Sequence, residues 1–271
     1  MIIKTEQLLY NHVTFTRPSQ KLEPFSMHCH NTYELIFFER GDASYIIDQN
    51  KYKLHKNDLI FIRPSKYHYI EFTGESEYSR INIAFSESLV SPSLLASVPS
   101  ELEVISCPSG SILEGIFRRI DYYSTKLSEA CFTELLTSML TEIVYNLHLA
   151  DIDMAYIPAT LAPLLVKILE YINDNLFTLK EVREVCAHFC ISEQYVFRLF
   201  QTGLRTSPYK YITIKRLLHA QTFLRQGKRP TQVFQICGFD SYVSFYKQYV
   251  KHFGYPPSKE QSSFSLSDQA L

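Results

Sequence analysis

The 271-residue chain has no Cys-x-x-Cys pair, glycine-rich phosphate loop, dinucleotide fingerprint or nucleophile elbow, so the motif-borne nucleotide and hydrolase chemistries have no foothold in it. Long apolar runs are missing as well. The longest nearly uncharged stretches, such as 157–166, fall short of the ~18–20 apolar residues of a bilayer span. Met1-Ile2-Ile3-Lys4-Thr5-Glu6 lacks a basic region followed by an apolar one, so no signal peptide is read and a cytoplasmic location is expected. Glycine is scarce, at 8 residues beside 12 prolines. The 46% hydrophobic and 20% charged shares exclude a disordered, collagen-like or low-complexity chain. Six cysteines, at 29, 107, 131, 186, 190 and 237, read as free thiols in a chain without a secretory signal. Cys186 and Cys190 stand four apart with no second Cys or His pair at ligand spacing, and read as small apolar fillers.

What is present divides into two halves. The length suits two domains. The net charge of −1 conceals 13 basic against 20 acidic residues over 1–160, and 14 against 7 over 161–262. A basic half joined to an acidic one suggests a nucleic-acid-facing module attached to something else.

Residues 1 to about 106 read as β. The segments 33–38, 44–47, 58–62 and 80–85 are short and rich in β-branched and aromatic residues, with turn-forming pieces between them. Their close spacing predicts an antiparallel sandwich or small barrel. The apolar period then changes to three and four over 112–126 and 131–149. Phe132, Leu135, Leu136, Met139, Leu140, Ile143, Val144 and Leu147 form one broad stripe. Asp151 to Pro158 breaks the pattern, and 163 to about 257 reads as helix. The expected class is α+β, with a β domain over 1–108, a helical dimerisation or connector region over 109–152 and a linker over 153–162. A helical domain over 163–262 and a flexible tail over 263–271 complete it.

The basic half contains two helix–turn–helix outlines. In the first, a helix with Val182, Val185 and Phe189 inward ends at Cys190-Ile191, and Ser192 caps a new helix from Glu193. Val196, Leu199 and Phe200 share one face of that helix; Gln194, Phe197, Arg198 and Gln201 share the other. In the second, Val233 to Cys237 precede Gly238-Phe239. A helix then runs to His252 with Phe245 and Tyr249 inward and Ser241, Tyr242, Tyr246 and Lys247 outward. Pro208 opens a long helix between the units. A short helix, a tight turn and a second helix with a polar, cationic face have the shape required to enter a major groove.

The span from about 165 to 260 resembles the DNA-binding domain of the AraC/XylS family of transcription regulators. The matching pieces are Ile191 to Phe200, Gly203, Ser207-Pro208, Tyr211, Arg216 to Ala220, Gly238-Phe239, Phe245, and Phe253-Gly254-Tyr255-Pro256-Pro257. The sequence departs from that pattern with Cys186 and Phe234 where the family usually has Ala, and Cys190 where it often has Gly. The resemblance implies two units held by a linker helix and reading successive major grooves of double-stranded DNA. Gln194, Phe197, Arg198, Ser241, Tyr242, Tyr246 and Lys247 would be the reading positions. Gln suits adenine, Arg suits guanine, and an aromatic edge suits a thymine methyl. Arg198 and Lys247 on a solvated face touching only phosphates is the alternative.

In the acidic half, His28-Cys29-His30-Asn31-Thr32-Tyr33-Glu34 with Gly41 resembles the first metal motif of cupin β-barrels. The segment 57–68, ending in His68, resembles the second. His28, His30, Glu34 and His68 thus admit three readings: lining of an effector pocket, fold stabilisation, or a metal set. Pocket lining is the reading adopted, with no metal or cofactor, because the amino-terminal domains of AraC-type regulators commonly carry such residues around an effector cavity. Tyr33, Tyr45, Phe61, Tyr67 and Tyr69 could offer stacking faces for a sugar. The whole then reads as a non-enzymatic regulator sensing a small molecule such as a carbohydrate. It would dimerise through Leu136, Met139, Leu140 and Ile143, and meet RNA polymerase if it activates. A metal-dependent cupin enzyme fused to a DNA-binding module is the alternative, as is a regulator whose first domain only dimerises.

Overall fold

A computed structural model of the chain describes residues 2–15, 28–150, 159–160 and 162–262. The expected tail over 263–271 and most of the expected linker lie outside them. The strands are β1 (Ile2–Lys4), β2 (Leu8–Phe15), β3 (Tyr33–Arg40), β4 (Ala43–Ile47), β5 (Asn50–Lys53), β6 (Asp58–Ile62), β7 (His68–Phe72), β8 (Tyr78–Phe85), β9 (Val104–Ser106) and β10 (Ala159–Thr160). They form two antiparallel sheets, ordered β1-β2-β8-β3-β6-β9 and β10-β5-β4-β7. The expected antiparallel sandwich or small barrel thus takes the form of two facing sheets. Ile36, Phe38, Tyr45, Ile47, Ile60, Ile62, Ile70 and Tyr78 fill the space between them.

The larger sheet is apolar on its other face as well. Leu35, Phe37, Leu59, Phe61, Ile81, Ile83 and Phe85 alternate with the inward set and demand a second cover. Helices α1 (Pro92–Ser97), α2 (Ile112–Ser124) and α3 (Glu129–His148) supply it. Phe117 stacks on Phe37 at 4.5 Å, and Phe132 meets Tyr10 edge-on at 5.0 Å.

This corrects the dimer assignment. Leu136, Leu140 and Ile143 are 0% exposed and Met139 is 6% exposed within the single chain. The stripe is broad because it covers a sheet face, and 109–150 is a layer of the N-terminal domain rather than a free connector.

The remaining helices are α4 (Pro163–Asp174), α5 (Val182–Phe189), α6 (Glu193–Leu204), α7 (Pro208–Arg225), α8 (Pro230–Ile236) and α9 (Tyr242–Phe253). Their starts follow the cap chemistry: Ser192, Ser207 and Ser241 each accept from a backbone N–H three residues on. Cys190 closes α5 in the left-handed region, at φ 54°, where a glycine would be unstrained. The strand β10 was not expected in the linker. It pairs Ala159 with Lys51 and Thr160 with Asn50, tying the connection to the smaller sheet. Among the described residues no helix is long and apolar enough to cross a membrane.

Candidate functional site

The helical half is organised around one buried cation. Arg216, on α7, donates from Nε to the Leu176 carbonyl at 2.8 Å and from Nη1 to the Gly238 carbonyl at 2.9 Å. Its Nη2 donates to the Leu179 carbonyl. Burial lowers its pKa, opposed by Asp240, and the three carbonyls stand in for a carboxylate. One side chain thereby ties the segment preceding α5 to the corner between α8 and α9. Gly238 completes the joint: its φ is +76°, and a Cβ there would collide with the Phe177 carbonyl. The two helix–turn–helix units thus have a set spacing.

Their outward faces carry the expected reading residues unevenly. Gln194, Arg198, Ser241, Tyr246 and Lys247 are exposed. Phe197 and Tyr242 are half-buried: Phe197 lies 5.7 Å from the Tyr209 ring, and Tyr242 meets Phe234 edge-on at 5.9 Å. Ser241 Oγ already accepts from the Ser244 N–H as the α9 cap. The Arg198 guanidinium lies over the Tyr195 ring at 4.9 Å, a cation–π stack that orders it before any ligand arrives. Sequence reasoning missed Tyr195 in this role, although its spacing of three from Arg198 was visible.

In the N-terminal half, His28, His30, Glu34 and His68 do meet. One ligand-type atom from each lies within 4.8 Å of the others. Strand β3 delivers Glu34 and β7 delivers His68. His28 is bridged to His68 by a backbone pair, His28 N–H to the His68 carbonyl at 3.2 Å and His68 N–H to the His28 carbonyl at 3.0 Å. Both His30 Nε2, at 3.2 Å, and His68 Nε2, at 3.1 Å, point at Glu34 Oε2. Burial pushes the Glu34 carboxyl up, but the imidazoles of His30 and His68 outweigh it and hold it well below the usual carboxylate range. The carboxylate is therefore ionised.

The donor set suits a transition-metal cation by its chemistry. His68 Nδ1 faces the Lys66 carbonyl at 2.9 Å and His30 Nδ1 faces the Thr32 carbonyl at 3.1 Å. Each ring thereby turns its Nε2 toward the Glu34 carboxylate, where a cation would take the place of the proton between nitrogen and oxygen. His68 is fully buried, and its Nε2 has no hydrogen-bond partner of acceptable geometry among the described residues.

The space between the sheets holds further polar groups that sequence reasoning missed. Asn82 on β8 lies opposite Asn11 of β2 and Ile36 of β3. Neither side-chain atom of Asn82, nor Asn11 Oδ1, has a hydrogen-bond partner among the described residues, and both side chains are buried. Arg80, two residues before Asn82 on the same face, is buried near Tyr78 and Tyr45 and feels the negative charge of Glu34. The signal was the alternation Arg80-Ile81-Asn82-Ile83, which ordinarily marks a face turned to water. Of the five aromatics suggested as sugar platforms, only Tyr45 faces this region, stacked 6.2 Å from His68. Tyr33 and Phe61 stack on one another in the α2–α3 cluster, and Tyr67 and Tyr69 dock the helical half.

Comparison with known proteins fits both halves. Residues 13–136 match the AraC-like ligand binding domain, and residues 185–263 match a helix-turn-helix domain. Both halves of the chain are thus similar to AraC-type regulators. Relatives include the HTH-type transcriptional regulator GbdR of Pseudomonas aeruginosa, 31% identical over 121 residues. Those residues are 44% of this chain and 33% of GbdR, so the chain spans about a third of that relative. The raffinose operon regulatory protein RafR of Pediococcus pentosaceus is 22% identical over 250 residues, 87% of each chain. The superposition on ToxT from Vibrio cholerae covers 96% of this chain and 100% of that one, at 11% identity and a TM-score of 0.38.

Proposed function

We propose that this chain is a cytoplasmic, sequence-specific DNA-binding transcription regulator that responds to a small molecule held between its two sheets. The observation carrying the DNA reading is the Arg216 joint, which sets two exposed polar helix faces at a fixed spacing. Gln194, Arg198, Tyr246 and Lys247 would reach base edges or phosphates there, with Ser241 at the rim and Phe197 and Tyr242 as flanking apolar contacts. The net positive charge of this half supplies the salt-dependent attraction to the backbone.

The effector reading rests on the polar interior. An unpaired buried polar group costs about 1–3 kcal/mol, and Asn11 and Asn82 present such groups between the sheets. A ligand rich in hydroxyls would pair them, with Arg80 donating. RafR serves a raffinose operon, which makes sugars the first class to screen. A homodimer is the expected assembly, through a surface other than the buried α3 stripe, and RNA polymerase is a partner if the output is activation. Neither GbdR nor RafR is named as an enzyme, so the metal-dependent enzyme gains no support from them.

The test is differential binding. Arg198→Ala should cost about 1–3 kcal/mol on the cognate site and relax preference at one base pair. Lys247→Ala should weaken cognate and random DNA alike, more so at low salt. Equal losses from Arg198→Ala on both DNAs would remove the base contact from this account.

A further inference from the structure

The loops that carry the histidines also carry the contacts to the linker helix. Asn31, between His30 and Glu34, donates from Nδ2 to the Leu218 carbonyl at 2.9 Å and to Gln221 Oε1 at 3.0 Å, both on α7. Ser65, three residues before His68, donates from Oγ to Asn31 Oδ1 at 3.0 Å and from its N–H to the His30 carbonyl at 2.8 Å. Its own carbonyl accepts from Lys215 Nζ of α7 at 2.7 Å. Ser65 sits at φ 65°, a left-handed conformation that a serine holds only under constraint. Tyr67, adjacent to His68, stacks on Tyr211 at 4.6 Å and donates to its carbonyl at 3.0 Å. Cys29, Ile46, Tyr67 and Tyr69 share one buried cluster with α4 to α7.

Three ligand-type atoms converge in the cluster: Nε2 of His30, Nε2 of His68 and the Glu34 carboxylate. Half-buried His28 adds a fourth, its ring 4.3 Å from that of His68. A divalent cation would displace the protons between these nitrogens and the carboxylate and take their place. Backbone carbonyls that orient the second nitrogen are the arrangement found around metal-bound histidine. Three imidazoles and one carboxylate suit a divalent first-row cation such as zinc, iron, nickel or cobalt.

We propose that His28, His30, Glu34 and His68 bind one divalent transition-metal cation, and that its binding tightens the docking of α7 through Asn31, Ser65 and Tyr67. The cation draws 28–34 and 65–68 together, and those two segments form the seat of α7. A cation that binds the docked arrangement better than the undocked one shifts the equilibrium by its differential affinity and no more. The linkage bears on DNA through the proposed reading of 163–262, whereas the site and the docking stand apart from that reading.

Cobalt(II) is the probe, because its visible absorption reports coordination directly. Titrating metal-free full chain should give one cobalt per chain with the spectrum of nitrogen and oxygen ligation. Amide exchange over 208–225 should slow at least threefold on loading. His68→Ala and the less buried His28→Ala should each weaken cobalt binding tenfold or more. His28→Ala keeps the test informative if His68→Ala fails to fold. Asn31→Ala should retain the cobalt spectrum and lose the slowing of exchange. No stoichiometric cobalt, or binding unchanged in a folded His28→Ala chain, overturns the site. Cobalt bound with unchanged exchange over 208–225 overturns the linkage. A chain that binds cobalt and slows exchange yet has no duplex affinity would defeat the DNA reading and leave this proposal intact.

Discussion

Replacing Arg216 with methionine keeps an unbranched stem of similar bulk and removes every donor. Three charge-assisted hydrogen bonds to the Leu176, Leu179 and Gly238 carbonyls disappear together, each contributing about 1.5–3 kcal/mol. Against that stands the cost of burying a guanidinium, several kcal/mol, which the variant no longer carries. The difference leaves a net loss of about 2–4 kcal/mol, within the range of a disrupted buried polar network. Urea unfolding followed by far-ultraviolet circular dichroism would measure it. The larger consequence concerns geometry. With the joint gone, the two helix–turn–helix units lose their set spacing, and a duplex long enough for both should bind at least tenfold more weakly. A half-length duplex meeting one unit should bind within about twofold of wild type, because neither outward face has changed. Unfolding free energy within 1 kcal/mol of wild type (roughly the smallest loss a buried charged hydrogen bond would cause), together with unchanged affinity for the long duplex, would refute the role given to Arg216.

Leu140→Glu should unfold the N-terminal domain rather than release a folded monomer, because Leu140 is fully buried between α3 and the larger sheet. Leu140→Ala should cost about 2–5 kcal/mol, and sedimentation of the surviving folded fraction should show unchanged assembly. His12 lies 2.8 Å from Glu39 and 2.7 Å from Asp121, and the hydrogen bond it donates to the Glu39 carboxylate leads the causes that raise its pKa above 6.5. A raised folded pKa means the stabilisation is complete below about 6.5 and is lost as pH rises through the folded value. Melting temperatures should therefore decline across that window in wild type and less in His12→Gln; parallel curves would contradict the assignment. Gly238→Ala should cost about 1–3 kcal/mol from the positive φ alone, with more from the collision at Phe177, and thermal melting would show it.

The helical half was largely legible in the sequence, because its signals are local. Ser192, Ser207 and Ser241 are caps, Pro208 opens α7, and the three-and-four spacing of Val196 and Phe200 or Phe245 and Tyr249 marks the inward face. A cap and its helix lie within four residues of one another, so short-range chemistry suffices. The pairing of the HxHxxxE segment with His68 was legible too, since residue types and order survive in the primary structure.

What tertiary structure decided was which surfaces meet. The α3 stripe reads equally well as a dimer seam or a sheet cover. The choice fell to the larger sheet, whose residues Phe37, Ile81 and Ile83 on the face turned away from the smaller sheet are apolar and require a partner. Arg80 and Asn82 alternate as if facing water, yet point between two sheets closed by strands far apart in the chain. Arg216 reads as one more positive charge until folding brings the Leu176, Leu179 and Gly238 carbonyls around it. Asn31 and Ser65 become a seat for α7 only because residues some 150 to 190 positions away arrive there. Periodicity tells a residue which side of its own element it occupies. It carries no information about what the other side of the interface will be, because that depends on long-range contacts with no local trace.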